Sequence, residues 1–395
     1  MFGAGLIQRF VTQVTRFHRA VAILTLNAVV IFVCLDLAAA GLLRAESMLT
    51  GSEVLDSRFH SPYYRDKPWA TQYWREFKLS RKERYEAFTV WRRGAFKGET
   101  INLDAHGIRV TPGSECVPGA LKIFTFGSSH MWGTGSPDWG TIPAYLLKEF
   151  RAVHAGPICV SNFAESGYVS MQSVTELILQ LDSGNVPDIA VFMDGQADIY
   201  AGYQSGRASR VHENFDVVAA RVEGQDRPSQ PPLVQFLHSS SLFDVVNRIQ
   251  ARVNGVSDET RLSTYATKGI ACEPLAQAIA SNVLANYDVV SALARAYKFD
   301  SYFFWPPYIA RGHKPLTPEE KLIIARDVDS AFIRLDRSVE HVVAERPRES
   351  DAVVSLSQVF DDMQSLVWID DAHSSPVGNQ MIARKMMQAI RGDRQ

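Results

Sequence analysis

The sequence predicts an α/β protein: a parallel sheet with helices on both faces, preceded by one helix long enough to cross a membrane. Three observations predict it. From Leu121 onward, short apolar runs alternate with helical patterns, the rhythm of a parallel sheet covered on both sides. From Ala20 to Leu43 the chain is almost wholly apolar, broken only by Thr25, Asn27 and Asp36, and that length suffices to cross a hydrocarbon core as a helix. Two separated pieces, Phe126-Gly127-Ser128-Ser129-His130-Met131-Trp132-Gly133 and Asp370-Asp371-Ala372-His373-Ser374-Ser375-Pro376, together offer a serine nucleophile, a histidine base and an orienting carboxylate.

The N-terminal segment comes first. Arg9, Arg16 and Arg19 precede the apolar run, whereas Arg44 is followed by Glu46, Glu53 and Asp56. The positive-inside bias therefore keeps residues 1–19 in the cytoplasm, makes 20–43 the span and exports everything after Arg44. In a bacterium with two membranes this is a single-pass inner-membrane protein with its main domain in the periplasm. Asp36 is costly at a bilayer centre and falls instead near the outer interface. A cleavable signal peptide is the competing reading, with Ala38-Ala39-Ala40 as the small-residue site. Leu42 and Leu43 continue the apolar run past that site and favour a retained anchor. Cys34 lies in the span, and Cys116, Cys159 and Cys272 lie in the exported part. A Cys116–Cys159 disulfide and three buried thiols are equally good readings.

Composition narrows the class further. Lys plus Arg (41) nearly balances Asp plus Glu (43), which gives no footprint for nucleic acid. At 46% hydrophobic residues the chain can bury a large core. No Cys/His spacing resembles a zinc site, so no metal is expected.

Residues 44–119 form an aromatic-rich extension that includes Tyr64, Tyr73, Trp74, Phe77, Tyr85, Phe88 and Trp91. Packing of these rings onto the core is the favoured reading, and a sugar-stacking surface is the alternative. The remainder, 120–395, carries the rhythm. Strands are expected at Leu121–Phe126, Ile158–Phe163, Asp188–Met193, Ser301–Trp305 and Ala352–Leu356. Helices are expected at Thr141–Val153, Val169–Leu181, Ala276–Tyr297, Thr317 to Glu345 as one long helix, and from Ser375-Pro376 to Ile390. Gly202 to Thr267, rich in Ser, Arg, Pro and Gln around 225–232, interrupts the pattern as an insertion.

Ser129 falls just past the carboxyl end of the first sheet strand, where open α/β sheets place their sites. A serine hydroxyl is a poor nucleophile until a base takes its proton, and that base needs a carboxylate to hold its tautomer. The three-residue spacing of Asp370 and His373 lets the carboxylate reach one imidazole nitrogen while the other faces the serine. The turn Gly-Ser-Ser-His-Met lacks the second glycine of the Gly-x-Ser-x-Gly elbow, which disfavours the α/β-hydrolase fold proper.

Four blocks in order give a resemblance to the SGNH (GDSL-like) hydrolase family, covering Leu121 to Ile390. Gly127-Ser128-Ser129 looks like the first block and Asn162-Phe163-Ala164-Glu165-Ser166-Gly167 is similar to the second. Asp194-Gly195-Gln196-Ala197-Asp198 falls where the third block belongs, and Asp370-Asp371-Ala372-His373 matches the last. The resemblance implies a flavodoxin-like α/β/α sandwich with Ser129, His373 and Asp370 as the catalytic set. It also implies an oxyanion hole from the backbone N–H groups of Ser129 and Gly167, and no cofactor. The third block departs from the family, whose asparagine donor to the oxyanion is replaced by Ala197.

Asn162, Gln196 and His130 are candidate substrate contacts, with His130 read more readily as structural and Gln196 as pointing elsewhere. Asn102, His106 and Arg109 are read as a packed loop rather than cleft residues, and Asp198 as organising the third-block turn. The implied activity is that of a serine esterase or O-acyltransferase on ester groups, O-acetyl foremost, of an exported or envelope glycan. A non-catalytic domain that binds glycan or scaffolds an envelope complex is the alternative, favoured by Ala197.

Overall fold

The computed structural model describes residues 3–50, 56–207, 212, 215–223, 240–243, 245–246, 264–345 and 353–392. The chain divides into two compact units, one made of residues 1–54 and 219–261 and the other of residues 55–218 and 262–395.

In the first unit a single helix, α1 (Gly3–Thr50), contains the apolar stretch Gln13–Leu42, 30 residues of mean hydropathy 2.4. It is long and apolar enough to cross a membrane. Leu24, Leu26, Val29 and Ile31 are exposed along it. Asp36 accepts a hydrogen bond from the backbone N–H of Leu242 at 2.9 Å. The side chains of Arg9, Leu43, Glu46 and Glu53 lie outside the described residues.

The second unit is built on a five-stranded parallel sheet. In chain order its strands are β5 (Leu121–Gly127), β6 (Ile158–Asn162), β7 (Ile189–Met193), β8 (Asp300–Trp305) and β9 (Val354–Ser355), following two short antiparallel pairs. Those pairs are β1 (Glu83–Glu86) with β2 (Val90–Arg93), and β3 (Phe96–Lys97) with β4 (Asn102–Leu103). The sheet order is β6-β5-β7-β8-β9, the doubly wound flavodoxin-like order, whose switch point lies beside its first strand. Registers such as Phe126↔Phe192 and Phe192↔Phe303 line up aromatic residues across three strands, and the Phe126 and Phe192 rings stack with centroids 4.6 Å apart. β5 and β7 are buried along most of their length because helices cover both faces. On one face α4 (Ile142–Arg151) packs on β6 and on α11 (Pro376–Ile390). On the other, α5 (Ser170–Asp182) and α8 (Cys272–Tyr297) pack on β5 and β8 and on each other. The short α3 (Ser129–Trp132) and α6 (Gln196–Ser205) follow β5 and β7 directly.

Residues 56–119 are woven into this core. In α2 (Ala70–Ser80) the face carrying Tyr73, Trp74 and Phe77 is buried, and Phe77 meets Trp132 edge-on at 5.9 Å. These rings pack into the core; Tyr85 and Phe88 alone of the named set are largely exposed. Buried Glu76 receives the backbone N–H groups of Glu99, Thr100 and Ile101, at 2.7, 2.8 and 2.9 Å. Cys116 and Cys159 are disulfide-bonded, while Cys272 is a buried free thiol. The bond ties the preceding segment along the edge strand β6, where the N–H of Glu115 also reaches the carbonyl of Ile158.

One expected element is different. The long helix from Thr317 to Glu345 is two helices, α9 (Pro318–Asp327) and α10 (Ser330–Ala344). β-Branched Val328 is extended and Asp329 caps α10, accepting from the N–H groups of Ala331 and Phe332. Aspartate at such a position offers the backbone a better partner than continued helix would. Most of the insertion expected over Gly202–Thr267 lies outside the described residues, although α6 extends into it as far as Ser205 and α7 (Phe215–Val222) falls within it.

Candidate active site

β5 ends in Gly127 at φ +150°, where a Cβ would stand 2.5 Å from the carbonyl oxygen of Met193 on β7. Only glycine lets the chain turn so sharply between the two strands. Ser128 is extended, and α3 starts at once with Ser129. The strand thereby delivers the Ser129 hydroxyl to the carboxyl edge of the sheet.

Its partner comes from the loop before α11. The N–H of Ser375 bonds the carbonyl of Val367, the N–H of Ile369 bonds the carbonyl of His373, and Trp368 and Ser374 form an antiparallel bridge. Ser375 caps α11, with Pro376 as its first residue. This closed loop presents Asp370 and His373 together. The Ser129 hydroxyl donates to His373 Nε2 at 2.7 Å, and His373 Nδ1–H donates to Asp370 Oδ2 at 2.7 Å. Asp370 Oδ1 accepts the N–H groups of Ala372 and His373. Burial would raise the Asp370 carboxyl, but His373, its hydrogen bonds and Arg58 hold it well below the usual carboxylate range. An ionised, oriented carboxylate therefore stands behind the imidazole, which in turn can take the serine proton.

Two neighbours complete the setting. Arg58 places Nη1 3.6 Å from Asp370 Oδ2 while its Nε and Nη2 bind Asp56, each at 2.7 Å. Its guanidinium lies over Trp74 and Phe77, about 5 Å from each ring. No sequence signal marked Arg58; it lies far from every block and reaches the site only because the extension folds over the sheet. His130 stacks on His373 with centroids 4.9 Å apart, and its Nε2–H donates to the carbonyl of Ala372 at 2.8 Å. Burial, and then His373 beside it, push its pKa down to about 3. His130 is thus a neutral ring stacked against His373, adding no positive charge beside it.

Ser129, His130, Gly167, Gln196, Ala197, Asp370 and His373 line one cavity of about 330 Å³. Gly167 has φ +79°, a left-handed turn suited to glycine. Gln196 is not turned away, contrary to the expectation from its neighbouring position. It is buried in the cavity wall because the tight Gly195 turn starts α6 there. Asn162 is a correction in the other direction. Buried at the end of β6, it donates to the carbonyl of Met131 and accepts from Thr125 and from the N–H of Ala164. Its hydrogen bonds are spent bracing the turn after β5, so it does not face the cavity. Arg109 is buried against Asp138 and the carbonyls of Trp132, Gly133 and Ser136, a brace for the loop after α3; Asn102 joins the same network through Asp138, and His106 donates its N–H to Asp104. Asp198 accepts the N–H and hydroxyl of Ser170, linking α6 to α5.

No known family and no curated protein matches the chain by sequence. Solved structures do resemble it. A catalytic mutant of Axe2, an acetylxylan esterase from Geobacillus stearothermophilus, is 15% identical over 69% of this chain and 95% of its own, with a TM-score of 0.34. A member of the lipolytic protein G-D-S-L family from Veillonella parvula is 11% identical over 69% of this chain and 99% of its own, TM-score 0.36. LAE5, an alpha/beta hydrolase enzyme from the metagenome of Lake Arreo, Spain, is 15% identical over 69% and 96%, TM-score 0.36.

Proposed function

We propose that this chain is a membrane-anchored, exported serine esterase or O-acyltransferase of the SGNH type that acts on a short acyl ester, O-acetyl foremost, of an envelope or exported glycan. The observation that carries the reading is the unbroken chain Ser129–His373–Asp370, two hydrogen bonds of 2.7 Å, opening into a cavity. Ser129 attacks the ester carbonyl as its proton moves to His373 Nε2. His373 returns that proton to the leaving alcohol, and the acyl-serine then passes its acyl group to water or to a sugar hydroxyl. Asp370 stabilises the imidazolium formed in between.

The cavity wall bears on the substrate. It mixes charged residues, Arg58, Arg81, Glu83, Arg93 and Asp371, with apolar surface from Phe77, Tyr200 and three alanines, Ala197, Ala201 and Ala372. An acetyl group on a hydrophilic carrier fits a cavity of about 330 Å³ whose wall offers both small apolar side chains and charged groups. The apolar stretch of α1 and the Cys116–Cys159 disulfide support an oxidising, extracytoplasmic setting. Ala197, which offers no side-chain donor to an oxyanion, favours the second reading, a glycan-binding domain without turnover.

The test uses the full-length chain in detergent, assayed for hydrolysis of an aryl acetate and for labelling by a fluorophosphonate. Ser129→Ala is expected to abolish labelling and to lower turnover on the order of 10⁴-fold or more. A parent that is labelled at Ser129 yet hydrolyses no faster than Ser129→Ala is a transferase awaiting its acceptor. A parent that is neither labelled nor active is the non-catalytic binder.

A further inference from the structure

We propose that the side-chain amide of Gln196 is a donor of the oxyanion hole, aimed by Arg311; the inference rests on the reading of Ser129 as nucleophile. Gln196 is the first residue of α6, 4% exposed, and shares the cavity wall with Ser129 and Gly167. Its Oε1 accepts from Arg311 Nη2 at 3.0 Å. Arginine can only donate, so this contact fixes which terminal atom is oxygen and turns the –NH₂ end the other way. Arg311 is itself immobile: buried, it donates to Asp336 through Nε and Nη2 and to the carbonyl of Pro306 through Nη1. Gln196 Nε2 is then left buried with no hydrogen-bond partner among the described residues.

A buried amide donor without an acceptor is rare and costly, and needs an explanation. Three features aim this one at chemistry. Its residue lines the cavity that holds the nucleophile. It sits at the positive end of a ten-residue helix. The turn that puts it there is glycine-dependent, since a Cβ on Gly195, at φ +114°, would lie 2.3 Å from the Trp305 ring. When Ser129 Oγ bonds to the carbonyl carbon, the serine proton goes to His373 and the carbonyl π pair moves onto oxygen. That oxyanion is met by the backbone N–H groups of Ser129 and Gly167 and by Gln196 Nε2–H. On collapse the pair returns, the alkoxide leaves, and His373 protonates it. Gln196 therefore supplies from the adjacent position the donor that Ala197 cannot.

The experiment compares kcat and KM for p-nitrophenyl acetate in the full-length parent, Gln196→Met and the double variant Gln196→Met/Ala197→Asn. Methionine keeps the length of glutamine without its N–H. Gln196→Met is expected to lower kcat on the order of 10²–10³-fold, the usual effect of losing one such donor, with KM changed far less. Adding Ala197→Asn is expected to recover at least about a tenth of the lost rate. A kcat for Gln196→Met within about threefold of the parent, or a loss that the double variant does not recover, overturns the assignment and leaves Gln196 a structural residue. A parent without turnover or fluorophosphonate labelling overturns the esterase reading, and this one with it; an active parent with an active Gln196→Met overturns this one alone.

Discussion

At the scale of residues, the site is a set of charges sorted by burial. Asp370 is kept ionised by His373, its backbone N–H partners and Arg58, whereas the adjacent Asp371 is pushed up to about 8 by burial and then by the carboxylates of Asp370 and Asp327, with Arg58 opposing. Free aspartate titrates near 3.9, so between about pH 4 and pH 8 the folded chain holds on Asp371 a proton that the unfolded chain gives up. Stability from this group is therefore lost as pH rises through that window. His130 works in the opposite sense: held neutral down to about pH 3, it costs stability as pH falls below the ordinary histidine range, because the unfolded chain then binds the proton. Asp371→Asn cannot ionise, so its Tm relative to the parent is expected to rise at pH 8 and to match the parent near pH 4. Thermal melts at the two pH values check this, and an equal Tm difference at both would show that Asp371 is not the titrating group. Of these residues, Ser129, Asp370 and His373 were legible because each sits in a motif at an element boundary. Arg58 and the orientation of Gln196 were not. Both depend on partners far away in sequence, and residue type alone carries no information about them.

At the scale of elements, the loop carrying Asp370 and His373 is pinned by a single buried carboxylate. Glu320, on α9, accepts the backbone N–H groups of Val367 and Trp368 at 3.0 and 3.3 Å, together with the ammonium of Lys314 and the N–H of Thr317. Neither Glu320 nor Lys314 is appreciably exposed. Glu320→Ala would leave a buried ammonium without its counter-ion and two loop donors unpaired, and is expected to cost about 3–5 kcal/mol. Urea denaturation measures that loss. Because the loop also sets the His373–Ser129 distance, aryl acetate turnover is expected to fall while KM holds; unchanged kcat would mean that α11 alone positions the loop. The sequence identified Thr317-Pro318-Glu319-Glu320 as a helix start, and Glu320 does cap it. Its second task, tying down a loop some fifty residues later, could not be read from a local pattern. The break at Val328-Asp329 was missed for the converse reason: helical periodicity on both sides outweighed one capping aspartate.

At the scale of the whole molecule, the apolar helix and the disulfide lead to one expectation. If the second unit is exported, Cys116 and Cys159 meet an oxidising compartment and pair, whereas the same domain retained in the cytosol keeps them reduced. Denaturing mass-tag alkylation of the full-length chain is expected to modify only Cys34 and Cys272, the two free thiols. A variant lacking residues 1–44 is expected to show Cys116, Cys159 and Cys272 all reactive; equal reactivity of Cys116 in both would refute export of this unit. The sequence by itself determined the parallel α/β class, the five strands of the main sheet in chain order, the membrane-length helix and the candidate residues Ser129, His373 and Asp370. These are written in local periodicity, in apolar length and in short motifs at strand and helix ends. Only the tertiary structure decided the sheet order β6-β5-β7-β8-β9, the pairing of Cys116 with Cys159, the burial of the aromatic extension and the placing of Arg58 and Gln196 around the serine. Each of these is a contact between segments distant along the chain. Packing of one buried surface against another selects such contacts, and no single stretch of sequence records them.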